Sequence, residues 1–322
     1  MGRRGFYGLV IGLAAIASSP GVGAQAEPFF QGPKKCLECH EAEYKVWEEG
    51  TKHFTSFKEM HKTDEAKAIV KAVIEAAGGG KKNPKRNQVC TLCHYTMVQK
   101  DADAEAKARA GPSCESCHGA SSDWFPIHND FGGAGVKPEA ETAEHKAERL
   151  KAAADAGMIW PHMIYDVALN CLSCHGMTNP ALDGETVAVM LEAGHPINPE
   201  FELVRYSQGT VRHRFYRPNT TTNAEMTPAE LARLFVTGHA ASLVSATTAL
   251  GKTDHAKYAG AQKARIEAAR AALEAVSSAV PEAAALLSDP SDANARAVVE
   301  AILDKDLTQE VGGMLPDKGA YK

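Results

Sequence analysis

Eight cysteines fall into four pairs, and each pair is closed by a histidine. They read Cys36-Leu-Glu-Cys39-His40, Cys90-Thr-Leu-Cys93-His94, Cys114-Glu-Ser-Cys117-His118 and Cys171-Leu-Ser-Cys174-His175, with no cysteine left over. This is the C-x-x-C-H pattern of c-type haem attachment. Two thiols three positions apart each add to one vinyl group of the same haem. The next residue then sets an imidazole nitrogen on the iron. Disulfides do not require a histidine after every second cysteine. Zinc ribbons also use paired C-x-x-C but have no reason for an adjacent histidine at all four sites. A thioredoxin-like motif occurs once, near a βαβ pattern. With 13 His in 322 residues, four such coincidences have a chance on the order of one in a million on composition alone. The expectation is four haem c groups and their iron. Cys36, Cys39, Cys90, Cys93, Cys114, Cys117, Cys171 and Cys174 attach them, and His40, His94, His118 and His175 are the proximal ligands.

A second axial ligand closes the iron to substrates, and histidine keeps its potential low. Nine histidines remain for that role. His53 sits in a helical-looking segment leading away from the first motif. His128 follows Trp124-Phe125-Pro126, His195 lies in the turn Gly194-His195-Pro196, and His213 lies in Val211-Arg-His213-Arg. These four are the distal candidates, with His61 and His162 behind them. His145 lies on a charged face and reads as solvated. His239 and His255 fall outside the motif-bearing region and read as structural. Met97 is too close to His94 to ligate the same iron, and core filling is its expected role.

The amino terminus reads as a secretory signal over residues 1–26. Arg3 and Arg4 begin it, an apolar run from Leu9 to Ala17 follows, and Ala24-Gln25-Ala26 is a small-x-small cleavage site. The run is short for a membrane span. A periplasmic or extracellular location follows. Without that segment, 33 basic residues face 40 acidic ones, a formal charge of −7. Such a charge argues against a nucleic-acid partner. It suits redox donor and acceptor proteins that dock through charge.

Aromatic residues make up only 7%, so haem is expected to fill much of the interior. The fold class expected is mainly α: a haem-filled core with long loops over residues 27–222, and a C-terminal α-helical extension over 223–322. Helical spacing marks Asp64 to Ala77, and Gly78-Gly79-Gly80 ends it. Ala104 to Ala110 and Glu139 to Ala156 read as further Ala-rich helices. Glu202 to Phe215 alternates like a short strand pair. Thr227-Pro228-Ala229-Glu230 is a capping box. It opens a helix to Leu250, followed by helices from His255 to Val280 and from Asp292 to Leu303. Ile266, Ala269, Leu273 and Val276 make an apolar stripe that fits a cover over the haem region or a homo-oligomer face. The twenty residues between His94 and Cys114 predict that the second and third haems are near neighbours.

From about Lys34 to Pro218 the chain resembles the tetrahaem cytochrome c-554 family. The resemblance rests on Cys36-x-x-Cys39-His40 followed by Trp47 and His53, and on the close second and third motifs. It also rests on Gly111-Pro112-Ser113-Cys114-Glu115-x-x-His118-Gly119 with His128 after it, and on the late fourth motif. It implies a mainly helical protein with haems in parallel and perpendicular pairs, carrying periplasmic electrons, for example from hydroxylamine oxidation. By position it implies that His128 caps the first haem and His53 the third, with His195 or His213 capping the fourth. It implies a second haem with no protein distal ligand, although His61 could close it here. The helices after residue 222 depart from the family pattern. Three functions therefore compete: an electron carrier, an enzyme acting on a small nitrogen compound at a five-coordinate haem, and a subunit of a haem filament.

Overall fold

A computed structural model describes residues 27–322, so the expected signal segment lies outside the described residues. The first motif begins in a short helix α1 (Pro33–Leu37), and α2 (Glu41–Gly50) and α3 (Lys52–Glu59) follow it. Thr51 parts α2 from α3 by adopting an extended backbone, and its hydroxyl then accepts the Phe54 N–H as an N-cap. Helix α4 (Asp64–Ala76) is capped in the same way by Thr63. Ile69, Val70 and Val73 turn inward, and left-handed Gly78 ends the helix. Asn87 caps α5 (Gln88–His94) through the N–H groups of Val89 and Cys90, so the second motif forms a single short helix.

The segment expected to be a helix from Ala104 to Ala110 is instead a strand. β1 (Thr96–Val98) pairs antiparallel with β2 (Lys107–Ala110), Thr96 opposite Ala110, and Phe30 bridges to Val98 on the other side. Alanine-rich composition favours helix only weakly, and cross-strand pairing overrides it. The ribbon's exit leads straight into α6 (Cys114–His118), the third motif, and then α7 (Phe125–His128).

Helix α8 (Ala143–Asp155) precedes α9 (Ile164–His175), which ends on the fourth motif, and α10 (Gly184–Glu192). The strand pair expected over Glu202 to Phe215 is also absent. Helix α11 (Leu203–Ser207) stands there, because the Glu202 carboxylate accepts the N–H groups of Val204 and Arg205 at 2.8 Å each and nucleates a turn.

Five helices close the chain: α12 (Pro228–Ala249), α13 (Ala256–Val276), α14 (Glu282–Ser288), α15 (Asp292–Ala301) and α16 (Thr308–Val311). The Thr227–Glu230 capping box forms as read, with Pro228 at the first helical position. The apolar stripe of α13 is spent inside the chain: Ala269, Leu273 and Val276 are fully buried. It leaves no open face there for a second copy.

The protein is mainly α-helical, with one short two-stranded ribbon among the described residues. The largest hydrophobic core crosses the boundary expected at residue 222. Tyr165, Ala168 and Leu172 of α9 share it with Phe235, Leu243, Leu273 and Val298. A smaller cluster joins α4 to α10, and a third gathers Trp124, Ala153 and Met158. No helix among the described residues is long and apolar enough to cross a membrane.

Candidate functional site

Helices α5, α6 and α9 each end on a motif histidine and His40 stands just before α2, and the fold brings a histidine from outside the motifs to three of the four. The ring centres of His175 and His53 lie 6.1 Å apart, those of His94 and His195 6.1 Å, and those of His118 and His213 6.2 Å. His128 lies within electrostatic reach of His40 and is packed between Trp124 and Phe125. These separations suit a shared metal. A metal–imidazole bond of about 2 Å on each side, with the nitrogen about 1 Å from its ring centre, puts two ring centres ~6 Å apart.

The tautomers fit as well. Nδ1 of His118 meets the Ile159 carbonyl at 2.8 Å, and Nδ1 of His128 meets that of Phe125 at 2.7 Å. His195 and His213 do the same with Pro196 at 2.7 Å and Val211 at 2.6 Å. A carbonyl can only accept, so each Nδ1 carries the proton and each Nε2 keeps its lone pair for a metal. Burial, then the neighbouring imidazoles, depresses His94 and His175 to about 4. Burial also lowers His53, His118 and His195. A ligating imidazole must be neutral, and these rings are held neutral at physiological pH. His40 is the exception. The Glu43 carboxylate, 3.6 Å from its Nδ1, raises it.

The pairing differs from the one the resemblance implies. His53 stands opposite His175 of the fourth motif, not His118 of the third. His213 faces His118, and His195 faces His94, the position expected to lack a partner. Sequence distance does not report which helices cross, and α3 lies nearer the end of α9 than its place in the chain suggests. His61 faces no motif histidine; it sits beside Lys62 and Lys85. His162 stacks on Trp160. His145 is not simply solvated, since its Nδ1 meets Glu141 at 2.9 Å in a cluster with Arg149. His239 packs against Phe235, and His255 bonds Glu192.

Thiols of different motifs are neighbours in three places. Cys36 lies beside Cys114, Cys117 beside Cys171, and Cys93 beside Cys174, as their helices adjoin. All eight thiols are free. These contacts string the motifs in the order first, third, fourth, second. The short gap in sequence thus does not make the second and third motifs direct partners. They meet around a cavity of about 270 Å³ lined by Leu92, Cys93, Ser116, Ser173 and Cys174.

Two functional contributions are not legible in the sequence. Glu115, inside the third motif, is 1% exposed. Its carboxylate accepts from the backbone N–H of Gln31 at 2.8 Å, of Gly32 at 2.7 Å and of Ser121 at 3.1 Å, and from the Ser121 hydroxyl. It thereby fastens the turn that starts the first motif to the third. Phe201 stacks on His175 with ring centres 4.6 Å apart and fixes that ring's plane. An acid between two motif cysteines normally faces water, and an isolated phenylalanine has no periodic signature. The close approach at Gly111 was visible only as a family residue. A Cβ there would lie 1.9 Å from the His53 carbonyl oxygen, so only glycine lets α3 seat His53 against the ribbon.

A family model described as "Cytochrome c554 and c-prime" matches residues 35–119, which hold the first three motifs. Over those residues the chain is similar to the cytochrome c-554 family. "Cytochrome c-554" of Nitrosomonas europaea is 26% identical over 137 residues, which is 41% of this chain and 56% of that protein. The match therefore spans little more than half of the relative's length. No solved structure gives a significant match. The family is one of c-type cytochromes. Haem c with its iron is thus the group for which this c-554-type region's thiols and imidazoles are arranged.

Proposed function

We propose that the protein is a tetrahaem c-type cytochrome that carries electrons between redox proteins outside the cytoplasmic membrane. Each motif binds one haem through its two thiols. His40 and His128, His94 and His195, His118 and His213, and His175 and His53 would hold the four irons. The observation that carries this reading is the set of three imidazole pairs at 6.1 to 6.2 Å, each joining a motif histidine to one outside the motifs. When bound, haem c supplies a one-electron iron couple whose potential follows its axial ligands.

The chain's own residues bind, orient and exclude. Backbone carbonyls fix four imidazoles with Nε2 forward. Phe201, Trp124 and Phe125 wall the rings off from water. The neighbouring thiols support an order of haems along the chain of motifs first, third, fourth, second. The enzyme reading needs an open iron beside His94, and His195 occupies that side. The filament reading needs a free self-complementary face, and the α13 stripe is buried within the chain.

Electron paramagnetic resonance of the oxidised holoprotein tests the ligation: four low-spin ferric signals are expected. A high-spin signal at one site would restore the open-iron reading. The three thiol contacts also permit a rival state with disulfides Cys36–Cys114, Cys117–Cys171 and Cys93–Cys174. Intact mass separates the two, since the proposal requires the mass of four haems and no disulfide.

A further inference from the structure

The two motifs at the ends of the thiol-linked order differ from the two between them. Leu37 of the first motif and Leu92 of the second are each 36% exposed. Position by position the inner motifs are more covered: Glu115 and Leu172, against exposed Leu37 and half-buried Thr91, are 1% and 2% exposed, and Ser116 and Ser173, against exposed Glu38 and Leu92, are half-buried. The end motifs are therefore the more accessible to another protein.

Their charges are opposite. Residues 34–50, around the first motif, carry five glutamates against three lysines, and Arg217 is the cation from elsewhere felt at His40. Residues 52–88, which lead into the second motif, carry nine cations against four acids. Lys67 and Lys71 are taken up by Asp64 and Glu75. Among the described residues, Lys52, Lys58, Lys62, Lys81, Lys82, Lys85 and Arg86 make no ion pair, in a chain whose charge outside residues 1–26 is −7.

Five of these seven gather at the start of α5. Asn87, the cap of that helix, donates its amide to the Lys81 carbonyl at 3.3 Å. Lys85 lies 3.6 Å over the Phe57 ring and is close enough to Lys62 to be lowered by it. Arg86 immediately precedes the cap. Apart from Lys85, which rests on Phe57, these converging like charges have no carboxylate to offset them and cost stability. Around the edge of a redox centre they steer a partner of opposite sign.

We propose that the second-motif end is the docking face for an acidic redox protein, so that the chain has a basic electron port and a distinct acidic one. This rests on the tetrahaem reading above. The test uses haem-loaded protein and, as probe, a small acidic plant-type ferredoxin in its reduced form, with electron transfer followed by stopped-flow absorbance. The variant is Lys81→Glu/Lys82→Glu/Arg86→Glu, on an exposed loop. Its control is Lys146→Glu/Lys263→Glu/Lys305→Glu, three exposed lysines elsewhere that lack ion pairs.

At low salt the port variant should lose at least about tenfold in second-order rate and most of its salt dependence, while the control stays within about twofold. Equal losses in both, or none in either, would overturn the proposal. So would a rate unchanged in the port variant alongside loss of binding to phosphatidylserine vesicles, which would make the patch a lipid contact. Concentration-dependent self-association abolished by the same variant would instead make it a contact between copies. A protein lacking haem mass, or one that no reductant reduces, would refute the tetrahaem reading itself, which is a separate result.

Discussion

The two ends of the chain are held together by different means. Residues 223–322 contain twenty-three buried apolar side chains, drawn mostly from Ala, Leu and Val on five helices. Residues 27–163 contain nine. They rely on side chain to backbone links such as Glu115 to Gln31 and Gly32, and Trp47 to Pro112. Burying apolar surface stabilises by roughly 25 cal/mol per Å², so the carboxy-terminal helices can hold themselves and the motif region cannot. The missing apolar mass is what three covalent haems in that region would add. The contrast teaches that the same chain is a conventional helical protein at one end and a cofactor-organised one at the other, with α9 as the joint.

The largest expected effect breaks this contrast directly. Chain produced without haem attachment should lose protection in residues 27–163 while α12 to α15 stay protected, read by hydrogen exchange with mass spectrometry. Uniform protection across both regions would show that the motif region has a sufficient core of its own. Next, Leu273→Ala, at the fully buried centre of the helical end, should cost about 2–5 kcal/mol in denaturant unfolding. A smaller loss would mean that this core is looser than its burial implies.

Glu115→Gln sharpens the other side. It removes a charge that accepts four hydrogen bonds and leaves donors buried, at a cost of about 1–3 kcal/mol. The first and third haem signals should shift together in spectroelectrochemistry, because the side chain ties those two motifs. A shift of neither would assign Glu115 to stability alone.

The smallest effect concerns pH. Burial holds His239 at about 4 in the folded chain, whereas an unfolded imidazole titrates near 6.5. Below about pH 6.5 the unfolded state binds a proton that the folded state refuses. Stability is therefore unaffected above that pH, falls between about 6.5 and 4, and levels off below. His239→Gln should flatten that part of the curve, as checked by urea unfolding at pH 7 and pH 5.

The chemistry of the site was legible because it is local. Two thiols and an imidazole within five residues define a haem attachment unit whatever the rest of the chain does. The helices with strong caps, α4 and α12, were legible for the same reason: Thr63 and Thr227 act on the first turn that follows them. The misread segments are those where a distant partner decided. Within Ala104–Ala110, Lys107–Ala110 became a strand because Thr96–Val98 lay alongside it. Glu202–Phe215 became a helix start because one carboxylate turned onto its own backbone.

What the residue order alone determined is which atoms can bind: eight thiols, four motif imidazoles, and a short list of second imidazoles. Which imidazole faces which motif, which motifs adjoin, and which two remain at the surface were decided only by how the helices cross. The closest approaches join residues as far apart in the chain as His53 and His175, whose ring centres lie 6.1 Å apart. No local pattern encodes such a contact.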